Sequence, residues 1–477
     1  MRLNTLAHWI LPAAIALPLV NASADTLASS GGSSASELEL LRQQVQKQQS
    51  LIEQQQQRLG TLESKDEKGW MTQRRAEEIK SLVREVLSDA DTRASLLDSA
   101  VTAGHNGKNF FLASEDGNFL LTVAAEAQIR YIYNHLQDDT PATDDDTNGF
   151  QIRRARLDFR GHAYDPKLTY RLRINADRST GNVGLEYAYL GYDLAEDWNV
   201  KIGQFKPLFL REENVSSVRQ LAVERTYASD YFTIDYAQGA ELTYDGQWFH
   251  PSLTFYDGSY TQNSEFTADR SDFALAGRAE FLLAGDWKQF SDFSSWSKDK
   301  PGVLLGVAGG YERGNGGGGT NTPDIFKYTA DISAEYAGFN LFAAFYGQHF
   351  DVNDSSAGLP SNLDQADQYS FVVQGGTFVI PDKLELFARY EYLDFDGVYY
   401  RNNGASTQGG SGNLTGSDSL SIVTLGGNWY IHKHNTKFSV DVQWALDPVP
   451  VANTGGGLLA STEKDQIAVR AQLQWSF

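Results

Sequence analysis

The sequence predicts an all-β transmembrane barrel of about 16 antiparallel strands, preceded by an N-terminal α-helical coiled coil. Three observations predict it. Over the closing segment, Ile467, Val469, Ala471, Leu473, Trp475 and Phe477 fall on one face of a strand, opposite Gln466, Ala468, Arg470, Gln472, Gln474 and Ser476. Successive strand side chains point to opposite faces, so this segment is apolar on one side and mostly polar on the other. A wall between lipid and water needs that pattern. After the first few dozen residues no run of about 18 apolar residues occurs, which excludes spanning helices, and half-polar strands suit a mean hydropathy of −0.40. From about residue 118 onward, the connections between strand-like segments alternate between short and long.

Residues 1–24 read as a secretory signal. Arg2 is the positive start, Ile10 to Val20 a short apolar stretch, and Ala22-Ser23-Ala24 a small-x-small cleavage site. A signal and a barrel pattern together place the chain in the outer membrane of a Gram-negative type envelope, with the segment before the barrel in the periplasm. Residues 25–35 are a Ser/Gly-rich flexible lead. Across 36–64, Leu38, Leu41, Val45, Gln48, Ile52, Gln55, Leu59 and Leu62 alternate spacings of three and four, the seam of a coiled coil. Residues 65–117 read as a second helical segment, from about Thr72 to Val101, and a linker.

The barrel is expected over 118–477. Val123, Ala125, Ala127, Ile129, Tyr131 and Tyr133 oppose Glu126, Gln128 and Arg130. Phe326, Tyr328, Ala330, Ile332, Ala334 and Tyr336 oppose Lys327, Thr329, Asp331, Ser333 and Glu335. Phe438, Val440, Val442, Trp444 and Leu446 oppose Asp441 and Gln443. Segment 183–193 does not declare its facing. Short connections include Ala163-Tyr164-Asp165-Pro166, Ala337-Gly338 and Ile380-Pro381-Asp382-Lys383, and long ones include 134–149, 206–237, 258–272, 350–368, 395–419 and 447–464. That asymmetry matches periplasmic turns and extracellular loops. Only 284–301 is long where a short turn is due. A soluble sandwich would turn its apolar face inward; Tyr and Trp at many strand ends favour lipid interfaces instead.

The formal charge of −21 is uneven. Residues 110–477 contain 28 basic and 48 acidic residues, whereas 150–225 contain 13 basic and 10 acidic ones. So acidic a chain is not a nucleic-acid partner. In the basic block, Arg154, Arg156 and Arg160 alternate with Ala155, Leu157 and Phe159, and Arg171 and Arg173 with Leu172 and Ile174. An Arg on the lipid face near the midplane costs about 2–4 kcal/mol, so these five should face the lumen, and Lys201 follows the same logic. Two uses of such a strip stay open: an anion path, since Arg offers a planar fork of donors to oxyanions, or wall chemistry in which the Arg pair with Asp158, Asp177, Glu126 or Glu186. With no Cys there is no disulfide framework or thiolate metal site. No cofactor or metal is expected: Asp144-Asp145-Asp146 read as a solvated loop tip, His432 and His434 as solvated turn residues, and Gly316 to Gly319 as a flexible loop rather than a phosphate cradle.

The run Phe150 to Arg160 (FQIRRARLDFR), Tyr164-Asp165-Pro166 with Leu168 to Ile174, Lys201 to Pro207 (KIGQFKP) with Glu212 and Glu213, and Leu221 to Arg225 (LAVER) resemble the phosphate-selective porin O and P family. The resemblance covers about 115–477. It implies a 16-stranded homotrimeric outer-membrane porin, in contact with membrane lipid and lipopolysaccharide, with an Arg/Lys-lined path for phosphate or similar small anions. Facing and position select Arg154, Arg156, Arg160, Arg171, Arg173, Lys201, Lys206, Arg211, Arg219 and Arg225 for that path. The chain departs from the family's pattern in the later barrel, where residues 226–477 contain 14 basic and 30 acidic residues. That departure keeps open a general porin for cations or neutral solutes, and the helical preface keeps open a barrel-anchored periplasmic tether. An outer-membrane lipase needs a Ser beside a base His; His162 and His250 lie near turns instead.

Overall fold

The computed structural model describes residues 101–107, 109–136, 146–266, 271–314, 323–351, 365–399, 412–413 and 418–477. The signal, the flexible lead, the coiled coil, the helical segment before residue 101, Asp144-Asp145 and Gly316 to Gly319 lie outside the described residues.

A hairpin comes first, β1 (Val101–His105) and β2 (Phe110–Ser114), where the sequence suggested a linker. Sixteen barrel strands follow among the described residues. They are β3 (Leu120–His135), β4 (Asp146–Ala163), β5 (Asp165–Ala176), β6 (Val183–Ala195), β7 (Trp198–Phe205), β8 (Ala237–Tyr244), β9 (Phe249–Tyr256), β10 (Phe273–Ala284), β11 (Gly302–Arg313), β12 (Asp324–Tyr336), β13 (Phe339–Asp351), β14 (Gln365–Ile380) and β15 (Leu384–Asp394), and then, beyond a small hairpin of β16 (Val398–Tyr399) and β17 (Gly412–Asn413), β18 (Ser419–His432), β19 (Thr436–Ala445) and β20 (Gln466–Ser476). Every barrel strand is antiparallel to its neighbours, and β20 closes on β3 from Ile467 opposite His135 to Ser476 opposite Glu126. Below that register β2 takes over the same edge of β3, pairing Phe110 with Val123, and the Phe110 ring meets the Phe477 ring edge-on at 5.3 Å.

The burial pattern is inside-out relative to a water-soluble protein. Along β12, Phe326, Ile332 and Tyr336 are exposed while Lys327, Asp331 and Glu335 are buried. Along β20, Leu473 and Trp475 are exposed while Gln466, Arg470, Gln472 and Gln474 are buried. Only a lipid-facing exterior and a polar interior make this arrangement stable. Exposed Trp198, Trp248, Trp429 and Trp475 all sit at strand ends on the side of the short turns, as an interfacial girdle does. The tightest turn, Ala337-Gly338, holds both residues at positive φ (46° and 95°), the conformation a two-residue hairpin with right-twisted strands needs.

Among the described residues, three segments fill the interior. Loop 206–236 enters from the long-loop side and holds α1 (Arg211–Asn214), a 3-10 turn at Ser217–Arg219 and α2 (Tyr227–Phe232), which Thr226 caps by accepting from Ser229 N at 2.9 Å. Its Phe209, Leu210, Leu221, Tyr231 and Phe232 pack on Phe342, Tyr346, Val372, Phe387 and Leu420 of the wall. Segment 285–301 enters from the opposite side and buries Phe290 and Phe293, the latter 4.9 Å from Phe342. That is why this connection is long where the alternation calls for a short turn. Segment 446–462 adds Val449 and Leu458.

Candidate permeation path

Among the described residues, open cavities lie beside the inward segments, and two of them border the basic strip. The outer one, of about 700 Å³, lies between β4 to β6 and the 206–236 loop. The inner one, of about 1200 Å³, lies between β3 to β5, the 3-10 turn and the 285–301 segment. Arg156 lines both cavities. It projects from β4 and donates to Glu186 at 2.6 Å, to Glu126 at 3.4 Å and to Ser217 Oγ of the loop at 2.8 Å. The loop thus meets the wall at the level where one cavity gives way to the other.

On the inner side, Arg171 and Arg173 both donate to Asp158 Oδ2 at 2.6 Å, and both stack on Tyr187, at 4.1 and 5.2 Å from its centroid. Two guanidiniums on one carboxylate leave positive charge facing the cavity. Arg160 and Arg219 line the same space. Lys288, Lys298 and Lys300 of the inward segment and Lys383 and Lys433 of two turns complete a rim of ten basic and six acidic side chains. The outer cavity is closer to balance, with six basic and five acidic side chains. There Lys206 contacts Glu213 and lies 3.2 Å from Asp235, with its ammonium 4.5 Å over Tyr236. Burial pushes the Lys206 pKa down to about 8. Arg225 pairs with Glu213 at 3.1 Å and ties the carbonyls of Glu212, Glu213 and Val215, holding the loop's curvature.

The remaining expected residues are placed differently. Arg154 lines the outer cavity but its fork is taken by Glu224, at 2.8 and 3.1 Å. Lys201 and Arg211 line neither cavity. Lys201 pairs with Glu241 at 2.6 Å. Arg211 donates to Ser333 Oγ at 2.8 Å and to the Phe290 carbonyl at 2.7 Å, so it joins the two inward segments. Of the acidic partners considered from sequence, Asp158, Glu126 and Glu186 do hold Arg, whereas Asp177 accepts from Ser179 and Thr180 within its own turn.

Several contributors were missed. The β3–β4 register slips between Gln128 and Ile129, where Gln128 pairs with Arg154 and Ile129 with Ile152, so Arg153 is an extra residue. A bulge of this kind sends two consecutive side chains the same way, and both Arg153 and Arg154 reach Glu224. A second slip in β5–β6, at Arg173 and Ile174, brings both Glu186 and Tyr187 inward, which resolves the facing of 183–193. Glu224 itself accepts from Arg153 Nε at 2.7 Å, from Arg154 twice and from Arg130 Nη2 at 3.2 Å. Burial opposes its ionisation; Arg153, Arg154 and Arg130 outweigh burial and hold its carboxyl well below the ordinary range. His434, expected to be solvated, is buried 3.3 Å from Asp292, because the 285–301 segment folds over it. In β7, Gly203 lies at φ 135°, and a Cβ there would come within 2.2 Å of the Ala188 carbonyl. No other residue fits that close approach of β6 and β7.

Residues 123–300 match the family model described as phosphate-selective porin O and P. Over 333 residues the chain is 24% identical to an uncharacterized protein of Aquifex aeolicus (strain VF5), covering 66% of this chain and 69% of that one. Among solved structures it is similar to the anion-selective porin from Comamonas acidovorans (12% identity, TM-score 0.49, 75% of this chain and 99% of that one). It is also similar to OmpF of Salmonella typhi (16%, 0.47, 78% and 100%) and to the outer membrane channel DcaP of Acinetobacter baumannii (12%, 0.47, 75% and 97%). The matched residues 123–300 contain the whole block from Phe150 to Arg225 on which the sequence resemblance rests, and they fall in a closed 16-stranded antiparallel β-barrel.

Proposed function

We propose that this porin provides a water-filled path for the passive diffusion of small anions, with inorganic phosphate or a similar oxyanion as the solute. The observation that supports it most is the meeting of the two cavities at Arg156, with the Arg171–Arg173 pair directly beyond it. An anion leaving the outer cavity passes a guanidinium that never loses its charge and enters a space where basic side chains outnumber acidic ones. Arg156, Arg160, Arg171, Arg173, Lys206, Arg219 and Arg225 are the residues this reading assigns to the path. Arg154, Lys201 and Arg211 serve the wall and the loop. The surplus of acid in 226–477 does not oppose the reading: its loop charges in bulk water are screened within about 8–10 Å, and interior carboxylates such as Asp331 and Asp441 are paired with Arg278 and Arg470.

The near-balance of the outer cavity favours a second reading, a general porin with weak selectivity. Reversal potentials in a planar bilayer under a KCl gradient decide between them. Anion preference, with chloride conductance lowered by added phosphate, is the expected result; cation preference overturns the proposal. In the same reading the barrels assemble as a homotrimer in lipid and lipopolysaccharide, with the heptads of 36–64 on the periplasmic side. Deleting 36–64 then dissociates trimers on native gels; a lost envelope attachment with intact trimers and conductance points to a tether instead.

A further inference from the structure

The LAVER segment, Leu221 to Arg225, crosses the lumen and is held from both sides. On one side Arg130 donates to the Val223 carbonyl at 3.0 Å. On the other, Asp441 accepts from Val223 N at 3.0 Å, and Arg389 donates to the Glu224 carbonyl at 2.8 Å. Between these clamps the Glu224 side chain, 2% exposed, points into a cluster of three guanidiniums. Arg154 grips it with both Nη atoms, Arg153 reaches Oε2 from the bulge, and Arg130 reaches the same oxygen from β3. Arg130 and Arg154 are buried, whereas Arg153 is 19% exposed and lines the outer cavity.

Convergent guanidinium forks are the chemistry that recognises carboxylate, phosphate and sulfate alike. Three cations around one carboxylate also leave the cluster positive after pairing. We propose that Glu224 is a specificity-determining residue: its carboxylate is a tethered anion that occupies an oxyanion site built by Arg130, Arg153 and Arg154, and it sets how tightly the outer half of the path holds a passing oxyanion. The idea rests on the reading of the pore as a path for anions. A porin needs weak binding, since a solute held too tightly does not leave. A carboxylate fixed in the cluster lowers the affinity of the Arg-rich wall for free oxyanion without removing the positive field that draws anions in.

The test uses the full chain in a planar bilayer, titrating inorganic phosphate against chloride conductance at pH 7 for wild type, Glu224→Gln and Glu224→Asp. Native folding of each is checked by heat-modifiable migration. Glu224→Gln frees charge-assisted donors and is expected to lower the half-blocking phosphate concentration by about tenfold. It should also move the reversal potential toward anions. Glu224→Asp keeps the tethered charge and stays within about twofold of wild type. Should Glu224→Gln not fold, the double variant Arg154→Gln with Glu224→Gln removes a pair together and still leaves two freed guanidiniums, so it too blocks at lower phosphate than wild type. Wild-type block in whichever of these folds overturns the proposal, as does a gain in Glu224→Asp equal to that in Glu224→Gln, which would report displacement of the loop. The inference depends on the shift between variants. Cation preference of the wild type would overturn the anion path alone.

Discussion

Along β4 and β5, arginines share acidic partners and still border open cavity; along β10, β12 and β15, the cations Arg278, Lys327 and Arg389 of the same facing are sealed under the 206–236 loop. Arg156, Arg171 and Arg173 belong to the first wall. Arg278 belongs to the second: it is 3% exposed, holds Asp331 at 2.8 and 3.0 Å, and donates to the Phe209 carbonyl at 2.9 Å. Arg389 lies beneath the loop backbone and donates to the Glu224 carbonyl. Strand alternation sends all of these side chains inward for the same reason, the cost of placing a cation in lipid. What separates a path residue from a fastener is whether an inward segment covers it. Charge in the second wall holds the loop in place, and the position of the loop then decides which charges of the first wall meet the solute.

Arg278→Met should give the largest effect on stability. It leaves Asp331 buried without its cation, and breaking a buried pair costs about 3–5 kcal/mol. A fall in the temperature at which the folded form is lost on heat-modifiable gels checks it. An unchanged temperature would show that the second wall is not a fastener. Arg156→Gln leaves Glu126 and Glu186 without their cation and should lower that temperature as well, but unlike Arg278→Met it should also reduce the anion-to-cation permeability ratio by about fivefold, the effect of about 1 kcal/mol at a partly screened constriction. Lys327→Met removes a buried lysine that donates to the Thr233 carbonyl in the second wall and should leave the reversal potential within error. Equal shifts in the two variants would erase the distinction between the walls.

A pH titration sharpens the comparison within the loop itself. Lys206 borders the outer cavity, and burial brings its pKa down to about 8. Raising pH from 7 to 9 therefore removes most of its charge, leaving Asp235 without its lysine and Glu213 with Arg225 alone, so anion preference should fall over that interval. Lys206→Arg keeps its charge throughout and should flatten the profile.

Much of this was legible in the sequence, and the parts that were not have definite physical causes. Alternation over 325–337 and 436–446 marks β12 and β19 because each strand separates lipid from a polar interior. The same rule gives the inward facing of Arg156, Arg171 and Arg173. It cannot give Arg153, since a bulge inserts a residue without any change in composition. The consecutive pair Arg153-Arg154 was the signal: two neighbouring arginines cannot both face inward on a regular strand, and lipid accepts neither. The role of Glu224 was hidden because its three partners lie 70 or more residues away along the chain. The hairpin of β1 and β2 went unread because pairs of five residues beside Gly104 and Gly107 look like a linker until β3 offers them an edge.

The smallest expected effect concerns the 285–301 segment, which enters from the side of the short turns. His434 lies beneath it, 3.3 Å from Asp292, with Trp296 and Tyr430 edge-on to its ring at 5.5 and 5.4 Å and with Lys437 and Arg219 as the nearby cations. Burial, the largest influence, holds its imidazole below the ordinary value of 6.5, and the two cations act in the same direction against Asp292. The unfolded segment therefore binds a proton at higher pH than the folded one. The stability this histidine contributes is fully present above pH 6.5 and is lost as pH falls through the folded value. Hydrogen exchange across 285–301, corrected for the intrinsic rate, should show protection at pH 7 that declines at pH 5, while β12 and β13 stay protected throughout. His434→Gln should remove the pH dependence. Equal decline in the β12–β13 wall would mean that acid loosens the whole barrel, and the inner segment would then lose its standing as a separately held element.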